Sequence, residues 1–249
     1  MRNQLYLSVL ISITLNFVYA QQFTPQFTGL GADGITSPYH MVAIDENTLW
    51  ASASNPNGEK FGDGPNVIVH TEDGGSTWKS DTLPADNPNA FTIACISAIS
   101  PDSAWVSSID NTANYPNWDI KIYATFDGGE NWQLQNVAFS DNESYAGQIH
   151  FFDHLEGMLF AASADGYFQV FKTFDAGNTW DRLPQENFPP LIGNFEGDID
   201  NGYYAIQDTI WVPTSEGRIL KSIDRGTTWA AFDTPVPSNV IFEVTFSDS

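Results

Sequence analysis

Four copies of one eight-residue segment constrain this chain more than any other feature. They are TEDGGSTW (71–78), TFDGGENW (125–132), TFDAGNTW (173–180) and SIDRGTTW (222–229). The shared pattern is Ser/Thr, any residue, Asp, any residue, Gly, any residue, Thr/Asn, Trp. The aspartates are 54, 48 and 49 residues apart. A period near fifty residues means that one supersecondary unit recurs and buries itself against its neighbours. Short alternating runs flank the segments, such as Val67 to His70 and Ile120 to Tyr123, which is strand periodicity. Each segment is therefore expected to be a turn between two strands. The glycines (Gly75, Gly129, Gly177, Gly226) suit a site of positive φ. The aspartates (Asp73, Asp127, Asp175, Asp224) and the Ser/Thr hydroxyls can bond nearby turn amides. The tryptophans (Trp78, Trp132, Trp180, Trp229) offer a large apolar body with one donor, suited to plugging the gap beside the hairpin. These residues are expected to be structural and not catalytic.

A second signal lies upstream of each segment: an apolar run, a tight turn, then another run. VAIDENTLWASAS (42–54), SAISPDSAWVSSI (97–109), HFFDHLEGMLFAAS (150–163) and YAIQDTIWVPTS (204–215) align, with Trp50, Trp105, Leu159 and Trp211 at equivalent positions. Each unit thus reads as four antiparallel strands: inner strand A, strand B, strand C running into the turn, and outer strand D after it. No helical period follows residue 20.

The four segments resemble the Asp-box, or bacterial neuraminidase (BNR), repeat. Sialidases, xyloglucanases, sortilin-type receptors and photosystem II assembly factors share that box and form β-propellers. The resemblance covers almost the whole chain after residue 20. It implies an all-β fold, a β-propeller of four-stranded antiparallel blades, at about 40–84, 91–139, 148–184 and 203–234. QFTPQF (22–27) is expected to be a stray outer strand completing the last blade. NVIFEVTF (239–246) reads as the first strand of a fifth blade within 239–249, so an incomplete propeller is expected. The alternative is a four-bladed closure with a short tail. One fold hosts many activities, so function has to be argued from a site.

The first twenty residues read as a secretory signal peptide: Arg2, a mostly apolar run from Leu5 to Val18, and Val18-Tyr19-Ala20 before Gln21. The run is short, and Ser8, Ser12 and Asn16 interrupt it, so no membrane span is expected after cleavage. A secreted or cell-surface protein follows. Cleavage leaves 8 bases against 31 acids, a balance that repels nucleic acid and anionic lipid. Cys95 is the sole cysteine, so no internal disulfide forms; between Ala94 and Ile96 it reads as core filler. His40, His70, His150 and His154 form no recognisable ligand pair. No metal or cofactor is expected.

Binding residues concentrate in long loops on rigid scaffolds. From the strand-B marker to the box Asp the counts are 23, 22, 16 and 13 residues for units one to four. The long B–C loops are SNPNGEKFGDGPN (54–66) and DNTANYPNWD (110–119). They lie on the face opposite the boxes. Tyr115 and Trp118, beside Asn114 and Asp119, suit a sugar ring or a peptide, and Lys60, Phe61 and Asp63 extend the rim. The alternative is that Asn, Gly and Pro only serve the turns and Trp118 packs on its own loop. Blades three and four turn instead at Asp165-Gly166 and Glu216-Gly217.

Resemblance to sialidases implies three arginines clamping a carboxylate, a Tyr/Glu nucleophile pair and an Asp acid/base. After residue 20 the chain has only Arg182, Arg218 and Arg225. Arg225 lies inside a box, Arg182 just beyond one, and only Arg218 is on the loop side. The Arg-Ile-Pro segment of sialidases is absent. A xyloglucanase-like enzyme needs two carboxylates across a cleft; Asp63, Asp110, Asp119, Glu196 and Asp198 qualify, but in so acidic a chain that selects nothing. Nothing marks a photosystem assembly role. The sequence reads as a non-catalytic binding module for extracellular carbohydrate or protein, with a glycoside hydrolase as the alternative. It leaves the oligomeric state open.

Overall fold

The computed structural model describes residues 37–54, 67–84, 91–110, 119–135, 145–162, 166–193, 196–198, 202–238 and 240. They form sixteen strands: β1 Ser37–Ala43, β2 Leu49–Ser54, β3 Val67–Thr71, β4 Lys79–Thr82, β5 Phe91–Ala98, β6 Ala104–Asp110, β7 Asp119–Thr125, β8 Gln133–Gln135, β9 Tyr145–Phe151, β10 Gly157–Ala162, β11 Gln169–Thr173, β12 Asp181–Arg182, β13 Tyr204–Ile206, β14 Thr209–Pro213, β15 Arg218–Ser222 and β16 Ala230–Asp233. Consecutive sets of four pair antiparallel as four meander sheets, blades 1 to 4. The only helical turn among the described residues is the 3-10 turn Gln185–Asn187. The segments 22–27 and 239–246, expected as strands, lie outside the described residues except for Val240, which is in no strand.

The register of strands B and C makes the repeat explicit. Trp50 pairs with His70, Trp105 with Ala124, Met158 with Lys172 and Trp211 with Lys221. Each strand-C partner sits three residues before its box aspartate. The sequence alignment placed Leu159 at this position; the structure corrects it to Met158. The A–B turn of blade 3, Phe152 to Glu156, sets this offset, and one residue moves a side chain to the opposite face. Leu159 pairs with Phe171 and faces back toward blade 2.

Both faces of the middle strands of blades 1 to 3 are largely buried, because blades stand side by side, whereas in blade 4 Trp211, Ile219 and Lys221 leave one face half-buried. All five residues of β11 are buried. Three cores result, one per blade boundary. Trp50, Ile68 and Leu83 of blade 1 pack on Ile93, Ile96, Val106 and Tyr123 of blade 2. Trp105 and Ile122 of blade 2 pack on Ile149, Phe151, Leu159 and Phe171 of blade 3. Met158, Phe160 and Val170 of blade 3 pack on Ile210, Val212, Leu220 and Trp229 of blade 4. Fully burying a side chain of this size is worth about 1.5–3 kcal/mol, so these seams dominate the stability.

The box turns carry one hydrogen-bond scheme. In the first, the Thr71 hydroxyl accepts from Gly75 N (2.9 Å) and donates to Asp73 Oδ1 (2.9 Å). Asp73 then accepts Thr77 N (2.8 Å) and Thr77 Oγ1 (2.6 Å). Those bonds hold the Asp73 carboxyl down at about 2. Asp127, Asp175 and Asp224 repeat the amide contact at 2.9 Å. The box glycines have φ of 80–93°. The residue before them, written as any residue in the sequence pattern, is also left-handed: Gly74 (69°), Gly128 (71°), Ala176 (63°) and Arg225 (56°). Non-glycine residues tolerate this region at roughly 1–2 kcal/mol. Each box tryptophan after the first packs into the boundary with the preceding blade, Trp132 edge-on to Trp50 (6.3 Å between centroids) and Trp229 edge-on to Phe160 (5.3 Å). Trp180 joins the boundary between blades 2 and 3.

Candidate functional site

The B–C connections of blades 1 and 2 leave neighbouring sheets at the same end. Ala53 pairs with Val67 at the stem of one, and Asp110 with Asp119 at the stem of the other. Asp119 is thus the first residue of β7. Lys60, Phe61, Asp63, Asn114, Tyr115 and Trp118 lie outside the described residues.

On the same face of blades 3 and 4, a buried carboxylate is fully occupied. Glu196 accepts from Arg218 Nε (2.9 Å), from Arg218 Nη2, from Thr214 Oγ1 (2.5 Å) and from Ile192 N (2.8 Å). Arg218 Nη2 also donates to Pro190 O (3.1 Å). The Glu196 side chain has no exposed surface and that of Arg218 only 10%. This is a bidentate ion pair that fixes Pro190, Ile192 and Glu196 to β15; a buried charge needs such a partner. The arginine that the sequence put on the loop face is therefore spent on an acid of the connection between blades 3 and 4. Asp198 bonds Gln148 Nε2 (2.9 Å) and lies so close to Gly147 that a Cβ there would meet Asp198 Oδ2 at 1.9 Å. Gly217, in the short turn of blade 4, has φ 73° and donates to Thr214 O (3.1 Å); Gly166 has φ 89°, while Asp165 lies outside the described residues.

Between the inner strands, Cys95 Sγ and the Tyr203 hydroxyl both donate to Ile149 O (3.6 and 3.2 Å), and Tyr203 meets His150 Nδ1 (3.3 Å). Burial raises the Tyr203 pKa. Burial, helped by the Lys172 charge, lowers that of His150 to about 4. Cys95 is fully buried, as core filler should be.

The box face holds the other two arginine-bearing positions. Arg225, between Asp224 and Gly226, pairs with Asp208 (2.6 Å), Asp153 (2.9 Å) and Glu156 (2.7 Å). Lys172, buried beneath, bonds Glu156 Oε1 and Arg225 O, both at 2.6 Å. This network latches blade 3 to blade 4. Sequence reading missed it, since its members are far apart in the chain and the only local sign is a charged residue in a box. Arg182 ends β12 on the outer edge. Beside the first box, a cleft of about 240 Å³ is lined by His70, Thr71, Glu72, Asp73, Thr77 and Lys79, with Glu72 and Lys79 paired at 2.8 Å. Among the described residues no group of three His, Cys, Asp or Glu side chains is placed to hold a metal ion. No described helix is long and apolar enough to cross a membrane.

No family model matches the chain, and no curated protein matches it. Solved structures do. YCF48 from Cyanidioschyzon merolae matches with a TM-score of 0.55 and 13% identity, over 81% of this chain and 58% of that one. A mutant of Trypanosoma rangeli sialidase displaying trans-sialidase activity matches with a TM-score of 0.51 and 11% identity, over 83% of this chain and 42% of that one. The fold is a β-propeller. Four of its blades are described, and the chain spans about half the length of these relatives. At these identities the likeness fixes architecture alone.

Proposed function

We propose that this propeller is a secreted or cell-surface, non-catalytic binding module that recognises carbohydrate or protein through the B–C loops of blades 1 and 2. The observation that carries this is the Glu196–Arg218 pair. A sialidase-like site needs arginines open to a substrate carboxylate, and Arg218 is committed to an internal one. Arg225 is committed likewise on the other face. The paired stems at Ala53–Val67 and Asp110–Asp119 support the reading, since they carry the two long loops on adjacent rigid sheets.

A polysaccharide and glycan array probed with the secreted protein, alongside its Tyr115→Ala/Trp118→Ala variant, tests this. Binding that the double variant loses is expected. Hydrolysis of xyloglucan or sialosides, lost in an Asp119→Asn variant, would establish the glycoside hydrolase instead.

A further inference from the structure

The box face presents a strip of large apolar side chains that the loop-face reading does not use. Phe126, Phe174 and Ile223 each precede a box aspartate and are 43%, 65% and 69% exposed; Leu155 in the A–B turn of blade 3 is 59% exposed. Blade 1 has Glu72 at the same box position, so the strip belongs to blades 2 to 4. Ring and backbone contacts link the turns that carry Phe126, Leu155 and Phe174. Phe126 lies edge-on to Trp105 (5.6 Å), whose indole donates to Ala176 O (2.8 Å). Ala176 N donates to Leu155 O (3.0 Å). Phe174 and Phe152 both flank Lys172 Nζ, at 5.5 and 5.1 Å. Contiguous exposed apolar surface on a soluble protein marks an interaction site more often than isolated exposed residues do.

The charge around the strip selects the partner. Glu130, Asp153 and Asp208 are exposed on this face. Among the described residues its cations Lys172 and Arg225 are bonded to Glu156, Asp153 and Asp208, and Lys79 at the blade 1 margin, near Glu130, is paired with Glu72, so the acids stay in excess. The rim is therefore acidic and the middle apolar. We propose that the box face of blades 2 to 4 docks a cationic protein segment bearing large apolar side chains, with Phe126, Leu155 and Phe174 taking its apolar residues and Glu130 and Asp208 its charges. Oppositely charged rims speed and orient such encounters, while buried apolar anchors carry affinity.

Three fluorescein-labelled peptides of about 12 residues, built from Lys and Leu, Lys and Ser, and Glu and Leu, test this by anisotropy at about 0.15 M salt, where long-range attraction is screened. The Lys/Leu peptide should bind. The Lys/Ser peptide should bind at least about tenfold more weakly, and the Glu/Leu peptide not at all. Phe174→Ser and Leu155→Ser, both at exposed positions, should each weaken Lys/Leu binding by about tenfold with unchanged Tm. Leu134→Ser, equally exposed on the outer strand of blade 2, and the Tyr115→Ala/Trp118→Ala variant should leave it unchanged. Equal binding of the Lys/Leu and Lys/Ser peptides, or indifference to Phe174→Ser and Leu155→Ser, would overturn the proposal as mere attraction of a polycation to an acidic protein. Sedimentation showing a dimer that Phe174→Ser dissociates would overturn it in favour of a contact between two copies of this chain.

Discussion

Where blade 1 meets blade 2, Trp50 lies flat on His70 (4.2 Å between rings) and its indole donates to Ser100 O (3.1 Å) across the boundary. Where blade 3 meets blade 4, the same rung holds Met158 and Lys172, and the lysine makes the crossing bond, to Arg225 O. The position needs volume on the forward face and one donor for a turn carbonyl of the next blade. Tryptophan supplies both with one uncharged group. Methionine supplies only volume, so the donor comes from strand C, and a buried ammonium then requires Glu156. Blade 2 follows the first solution, with Trp105 bonding Ala176 O and Ala124 as its small partner. One structural demand is met by aromatic packing at two boundaries and by an ion network at the third.

The comparison predicts unequal sensitivities. Trp105→Ala should cost about 3–5 kcal/mol in urea unfolding, and Trp50→Ala a similar amount. A loss below about 1 kcal/mol for either would mean that the aromatic rung is not what joins the blades. At the ionic boundary, Lys172→Ala should cost roughly 3 kcal/mol, whereas Lys172→Met should stay within about 1 kcal/mol of wild type, because Glu156 keeps Arg225 as a partner. Equal losses for both substitutions would show that the charge itself is required.

The two histidines sharpen the contrast by pH. Burial lowers the pKa of His70 and of His150 alike, but Glu72 and Asp81 partly offset it at His70. Unfolded His150 takes up its proton near 6.5, and folded His150 only near 4. Its contribution is therefore complete above pH 6.5 and declines as pH falls toward 4, by at most about 3 kcal/mol. His150→Phe should flatten the stability curve over that window, and His70→Phe should flatten it less. The smallest effect is expected at Arg225. Arg225→Gly relieves a left-handed φ but removes partly exposed ion pairs. It should destabilise slightly at low salt and approach neutrality at high salt; the same loss at both would place the effect in packing.

Much of this was legible in the chain. The box pattern encodes its own turn, since Thr71, Asp73, Gly75 and Thr77 all bond within five residues of one another. The alternating runs gave strands, and turn residues such as Asp45, which accepts Asn47 N and Thr48 N, gave their ends. Leu159 was misplaced by one because turn length decides register, and composition does not report length by eye. The left-handed residue before each box glycine was invisible, because Ala176 and Arg225 carry no compositional mark of positive φ. On the loop side, Arg218 was legible as a loop-face arginine. Its engagement with Glu196 was not, since the two are 22 residues apart and meet only when Glu196 packs on β15.

By itself, then, the sequence determined everything that local hydrogen bonding and strand period can specify: the box turns, the antiparallel four-strand unit and its recurrence. The tertiary structure alone decided which blade each tryptophan joins, which charges neutralise each other, and which apolar side chains are left on the surface. The reason is physical. A turn closes over a few residues, whereas burial and ion pairing depend on neighbours about fifty residues away, such as Trp50 with Ser100 and Lys172 with Arg225.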